Sequence, residues 1–220
     1  MRGDDPGRFI RALVEEKGWK RGNILEVGAG DEPAIPNIDG FKHFVMTLNR
    51  DEAAKCRQKA PFATVLEADA AALPFGPLGR GSCNVIFWRG AMLHYVKLFN
   101  NEIDLSLFQY EKLHGRRSVG TYQFLRAISE TMKKGGLFVE LYPFLDFVEV
   151  PVLFTYLELP MKSIQFVERR QDHLSKSEKY YLFLRSIFAQ NFATVIGQEA
   201  PMSPERELAN SPFSAMVIEK

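Results

Sequence analysis

Compact apolar runs alternate along this chain with stretches whose apolar positions recur every three or four residues. Asn23 to Val27 is such a run, stopping at Gly28, and predicts a buried parallel strand opening into a loop. Phe44 to Leu48, Ala63 to Glu67, Cys83 to Trp88 and Leu137 to Tyr142 predict four more strands. Between them lie helical patterns. Pro6 suits a first turn and Phe9, Ile10, Leu13 and Val14 share a face, which predicts a helix from Asp5 to Lys17 ended by Gly18. Asp51 is placed to cap a helix through Glu52, Ala53, Ala54 and Cys56. Tyr122, Leu125, Ile128, Ser129 and Met132 line another, stopped by Lys133, Lys134, Gly135 and Gly136.

This alternation predicts an α/β fold with a mainly parallel sheet covered on both faces. The chain closes on two strand-like runs, Phe192 to Ile196 and Phe213 to Ile218, expected to form an antiparallel pair at the sheet edge. Residues 1–220 read as a single domain: an N-terminal helical segment over 1–22, and long connections over 97–120 and 143–189 on the substrate side. The second connection carries a capping box, Ser175 with Glu178.

A length of 220 residues, 46% of them hydrophobic, suits one sizeable core. The net charge of +1 supplies no general field for nucleic acid or an anionic membrane, so neither is expected as a partner. Lys112, His114, Arg116 and Arg117 form a short basic cluster, which a solvated loop explains better than an anionic substrate does. No stretch approaches the roughly 20 apolar residues of a membrane span. Two cysteines, Cys56 and Cys83, make no disulfide framework, and no Cys/His spacing suits a metal; a reducing cytoplasm is the expected compartment.

The chemistry begins at Glu26-Val27-Gly28-Ala29-Gly30-Asp31-Glu32-Pro33, where two glycines let the backbone turn tightly against a ligand. A dinucleotide loop wants a third glycine where Pro33 stands, and Glu26, Asp31 and Glu32 would repel a pyrophosphate. A unit charge at 4 Å interacts at about 4 kcal/mol for an effective dielectric near 20, so the acids favour a cation. S-adenosylmethionine, with an ammonium, a sulfonium and no phosphate, meets that demand; a plain turn with exposed acids is the alternative. Asn49 closes the second strand, where a polar group meets ribose hydroxyls. Asp69 and Ala70 follow the third, where a carboxylate and a backbone edge can meet adenine; capping a helix explains Asp69 equally well.

Four segments together resemble the class I S-adenosylmethionine-dependent methyltransferases, in particular the small-molecule group with a Leu-Pro-Phe signature. They are Ile24 to Gly30, Glu67 to Phe75 with Leu73-Pro74-Phe75, Asn84 to Trp88 with Met92 to Val96, and Met132 to Glu140. The resemblance implies a Rossmann-like, seven-stranded, mostly parallel sheet with an antiparallel C-terminal strand pair and helices on both faces. It implies that Glu26, Gly28, Ala29 and Gly30 hold the methionine end, Asn49 the ribose, and Asp69 and Ala70 the adenine, with Trp88 and Arg89 beside methionine and substrate. Three residues depart from that pattern: Glu32 for a glycine, Asn49 for an acid, and Asn84 for an aspartate. The first crossover, Asp31 to His43, is also short and carries Pro33 and Pro36, which leaves little room for a helix.

The expected activity is in-line transfer of a methyl group to a small, partly apolar molecule, releasing S-adenosylhomocysteine. Such transfer asks the protein to align two reactants and exclude water. His94 is the candidate base, with His114, Tyr142 and His173 behind it; packing or capping accounts for His94 more readily, and a solvated loop for His114 and His173. Phe99, Leu105, Phe108, Phe144, Phe147 and Phe154 are candidates for an apolar pocket, and many of the 18 phenylalanines must serve the core. The departures favour an alternative, a methyltransferase-fold partner or scaffold protein whose cofactor site has decayed. Oligomeric state is not legible in the sequence.

Overall fold

The structure is a computed structural model and describes residues 6–89, 124–141, 159–167 and 215–220. These residues form one seven-stranded sheet. In chain order the elements are α1 (Pro6–Glu16), β1 (Gly22–Val27), β2 (Phe41–Thr47), α2 (Arg50–Lys59), β3 (Thr64–Glu67), a 3-10 turn (Ala70–Ala72), β4 (Cys83–Arg89), a helical segment over 124–131, β5 (Met132–Leu141), β6 (Ser163–Val167) and β7 (Ala215–Glu219). The strand order is β3-β2-β1-β4-β5-β7-β6. Strands β3, β2, β1, β4 and β5 run parallel to one another, and β7 runs antiparallel to both β5 and β6.

Strand periodicity sorts the apolar side chains onto two buried faces. Leu25, Val27, Phe44, Met46, Ile86 and Trp88 pack on one side with Phe124, Leu125 and Ile128 of the 124–131 segment. Ile24, Val45, Val85 and Phe87 pack on the other with Phe9, Ile10, Leu13 and Val14 of α1 and with Cys56 and Ala60 from the α2 end. Trp88 anchors the first face: its ring stacks on Phe124 at 4.5 Å between centroids and meets the edge of Phe138 at 5.2 Å. Full burial of an aromatic side chain of this size contributes about 2–3 kcal/mol, which fixes the register of β4 against β1.

The chain ends reinforce the edges. Lys220 Nζ donates to the Ser129 and Met132 carbonyls at 2.6 and 2.8 Å, placing a cation at the negative end of the 124–131 helix. Glu219 accepts from Lys17 at 2.7 Å and from Lys162 at 3.0 Å, tying β7 to the chain after α1 and to the start of β6.

Two local expectations differ from what is observed. Asn49, not Asp51, is the N-cap of α2: its Oδ1 accepts from the Asp51 amide at 2.8 Å. The antiparallel partners of β7 are β5 and β6, so a strand lies inside the segment read as a long connection; 192–196 and the Ser175 helix fall outside the described residues. The crossover from β1 to β2 contains no helix, as its shortness and two prolines lead one to expect, and is held by buried Ile35 and Ile38 and by the Ile38 amide donating to His43 Nε2 at 3.1 Å.

Candidate functional site

The carboxyl ends of β4, β1, β2 and β3 lie side by side, and most of the sequence-derived candidates fall on that edge. Strands are spaced at about 4.8 Å, so the four tips span roughly 15 Å. Gly28 and Gly30 both adopt left-handed φ, +64° and +61°, which a side-chained residue takes only with strain. The bend they make is tied to β2 by the Gly28 and Ala29 amides, which donate to the Met46 carbonyl at 2.9 and 3.4 Å. Beneath it, Glu26 is completely buried, and one carboxylate oxygen accepts from the Ala34 amide at 2.8 Å.

The charge of this bend is balanced within the chain. Arg89, at the tip of β4, reaches across β1: its Nε donates to Glu26 Oε1 at 3.1 Å, and its Nη2 donates to the carbonyls of Ala29, at 3.2 Å, and Glu32. Asp31 pairs with Lys55 and Glu32 with Lys59, each at 3.0 Å, from the face of α2 that borders the loop. Burial raises the pKa of Glu26, opposed by the Arg89 guanidinium and the amides of Ala34 and Ile35. Hydrogen bonding to Lys55, and then its charge, lowers the pKa of Asp31. The three acids from which the sequence argues for a positive ligand are therefore not unmet charges. Each already faces a cation of the chain, although the two exposed pairs are open to screening by salt.

The β2 tip carries more polar chemistry than its sequence advertises. Thr47 is buried, and its hydroxyl hydrogen-bonds the half-buried Glu52 carboxylate. Leu48 beside it is 62% exposed, an apolar side chain facing solvent among polar neighbours. Asn49 is exposed; with its oxygen capping α2, its amide nitrogen remains to donate. After β3, Asp69 is exposed and Ala70 is buried, and the Asp69 carbonyl accepts from the Ala72 amide at 3.0 Å to open the 3-10 turn.

Glu26, Gly28, Ala29, Gly30 and Arg89 thus form one cluster, with Asn49 and then Asp69 and Ala70 on the neighbouring tips. Trp88 does not join them: it is 1% exposed and turned into the core, with Nε1 unpartnered among the described residues. Asn84 is at the opposite, amino end of β4, where its Oδ1 accepts from the Asn23 amide at 3.3 Å. Its difference from an aspartate consequently bears on sheet packing at the end of β4 away from the Gly28 to Gly30 bend. His94, His114, Tyr142 and His173 lie outside the described residues. Among the described residues no three His, Cys, Asp or Glu side chains come together as metal ligands, and no helix is long and apolar enough to cross a membrane.

Sequence reasoning missed Thr47, Leu48, Glu52, Lys55 and Lys59. Lys55 and Lys59 carried a legible signal, since residues four apart share a helix face, and that face borders the loop acids once β1, β2 and α2 are known to be neighbours.

No family model and no curated protein matches the sequence. Solved structures do. A TehB-like SAM-dependent methyltransferase from Corynebacterium glutamicum superposes with a TM-score of 0.50 at 14% identity, covering 73% of this chain and 76% of that one. The YcgJ protein from Bacillus subtilis superposes with a TM-score of 0.51 at 12% identity, covering 97% and 98%. At such identity the likeness is one of fold: this chain has the Rossmann-like methyltransferase fold, seven strands with an antiparallel C-terminal pair.

Proposed function

We propose that the chain binds S-adenosylmethionine along the carboxyl edge of β4, β1, β2 and β3 and directs its methyl group onto a small, partly apolar molecule. The observation that carries this is the alignment of the Gly28 to Gly30 bend, Asn49 and Asp69 on three adjacent parallel tips. Open α/β sheets bind ligands at this end, next to the point where strand order reverses, and here that point lies between β1 and β4. The nucleoside end fits the residues present: the Asn49 amide can donate to ribose oxygens, Asp69 can accept from the adenine amino group beside the Ala70 backbone, and Leu48 offers an apolar surface to a base. The methionine end falls to Glu26, Gly28, Ala29 and Gly30, on the acceptors that Arg89 reaches in the structure.

The bound donor would supply an electrophilic methyl on a sulfonium. The chain's part is alignment and water exclusion, worth several powers of ten in effective concentration. His94 is proposed as the base for a hydroxyl or phenol acceptor, and segments 97–120 and 143–189 as the substrate side.

A second possibility, a scaffold protein with a decayed donor site, is favoured by Arg89 occupying the acceptors of the glycine bend. Isothermal calorimetry with S-adenosylhomocysteine separates the two. The enzyme binds it, and Gly28→Arg or Asp69→Ala abolishes the heat; a scaffold gives no heat with an intact fold. Transfer of labelled methyl from the donor to a pool of small phenols, amines and acids then tests catalysis.

A further inference from the structure

We propose that Arg89 is an internal competitor for the amino group of the ligand: its guanidinium holds the acceptors of the glycine bend, and an incoming ammonium has to displace it. This rests on the adenosyl site proposed above and concerns the affinity and selectivity of that site.

The geometry is specific. An ammonium seated in a glycine bend at the end of a strand needs acceptors, and this bend presents the Glu26 carboxylate and the carbonyls of Ala29 and Glu32. Arg89 takes all three at once, with Nε on the carboxylate and Nη2 on both carbonyls, although it comes from a different strand. Arginine carries five N–H donors in a rigid fork, so one side chain can satisfy a constellation that a ligand would otherwise fill. Glu26 is fully buried and Arg89 about three-quarters buried, so the contact is sheltered from the screening that weakens the exposed Asp31 and Glu32 pairs.

Lys55 and Lys59 neutralise the other two acids of the loop, leaving no second unbalanced carboxylate in the bend to hold an ammonium. The site should therefore discriminate adenosine derivatives poorly by their amino-acid end.

Calorimetry with two probes tests this. S-adenosylhomocysteine carries the ammonium, and 5′-methylthioadenosine keeps the nucleoside and sulfur without it. In the unaltered protein the two should bind within about threefold of one another, and in Arg89→Met S-adenosylhomocysteine should gain about tenfold or more while 5′-methylthioadenosine is unmoved. Because Arg89→Met strands a buried carboxylate, Glu26→Gln with Arg89→Met provides a folded check, and it too should favour S-adenosylhomocysteine through the freed carbonyls. The proposal is overturned if the unaltered protein prefers S-adenosylhomocysteine strongly, or if the Arg89 variants bind it no better or more weakly. In either case the adenosyl site itself stands. If neither probe binds the folded parent or the folded variants, the adenosyl site falls and the competitor with it.

Discussion

Glu26 and Arg89, 63 residues apart in the chain, meet at 3.1 Å across the tips of β1 and β4, and the carboxylate of the pair is wholly withdrawn from solvent. This one contact ties the tip of β4 to the glycine bend. Losing the guanidinium alone leaves a buried charge with two amides for company. Arg89→Met should therefore cost about 3 kcal/mol in urea unfolding, and adding Glu26→Gln should recover most of it. Equal stability of Arg89→Met and the parent would show that the pair is not held in solution.

Gly22 and Asn84 test the opposite end of the sheet. A Cβ at position 22 would lie 1.8 Å from Asn84 Oδ1, and Gly22 has φ +152°. Gly22→Ala should thus destabilise by about 2 kcal/mol or more. Asn84→Ala in that background should restore part of the loss by removing the clashing oxygen. Neither change should alter the affinity for S-adenosylhomocysteine, because Asn84 is remote from the ligand edge; a tenfold loss of affinity in Asn84→Ala would contradict that placement.

His43 gives the fold a pH dependence. Burial, and then the charge of Arg11, hold its pKa below the ordinary 6.5, and its Nε2 must stay unprotonated to accept from Ile38. The unfolded chain therefore binds a proton that the folded chain resists. The associated stability is complete above the ordinary value and is lost as pH falls from there through the depressed folded value. Urea unfolding should show the parent losing more stability than His43→Gln between about pH 7.5 and about pH 5.5. Parallel losses would remove His43 from the explanation.

Both thiols should be silent in the folded protein. Burial pushes Cys83 up to about 12, and burial followed by the charge of Glu26 raises Cys56, whose Sγ lies 3.1 Å from the Gly30 carbonyl. Thiolate is the reactive form, so a colorimetric thiol reagent at neutral pH should react only as fast as the chain unfolds. Prompt reaction of one equivalent would mean that α2 leaves the glycine bend.

Much of this is legible in the sequence. Asn23 to Val27 and Cys83 to Trp88 are continuous apolar runs, as strands buried on both faces must be, and they appear as β1 and β4 with shifts of one residue. The Gly28 and Gly30 turn was readable because only glycine takes that conformation cheaply. What escaped depends on contacts distant in sequence. β6 is short, and its partner β7 is far along the chain, so Ser163 to Val167 gave no local signal. Asn49 and Asp51 are equally good caps by residue type, and the choice between them is made by where β2 stops pairing. The acids were read as unmet charge because Lys55, Lys59 and Arg89 reach them only after α2 and β4 are packed.

Amide chemical shifts of the isotopically labelled protein, followed while S-adenosylhomocysteine is added, locate any bound ligand residue by residue. An adenosyl site along the β4-β1-β2-β3 edge predicts that Gly28, Gly30, Asn49 and Asp69 move together and saturate together, while Gly22 and Asn84 stay still. Unmoved amides at those four positions up to millimolar ligand, or movement confined to the Gly22 and Asn84 end, would contradict it.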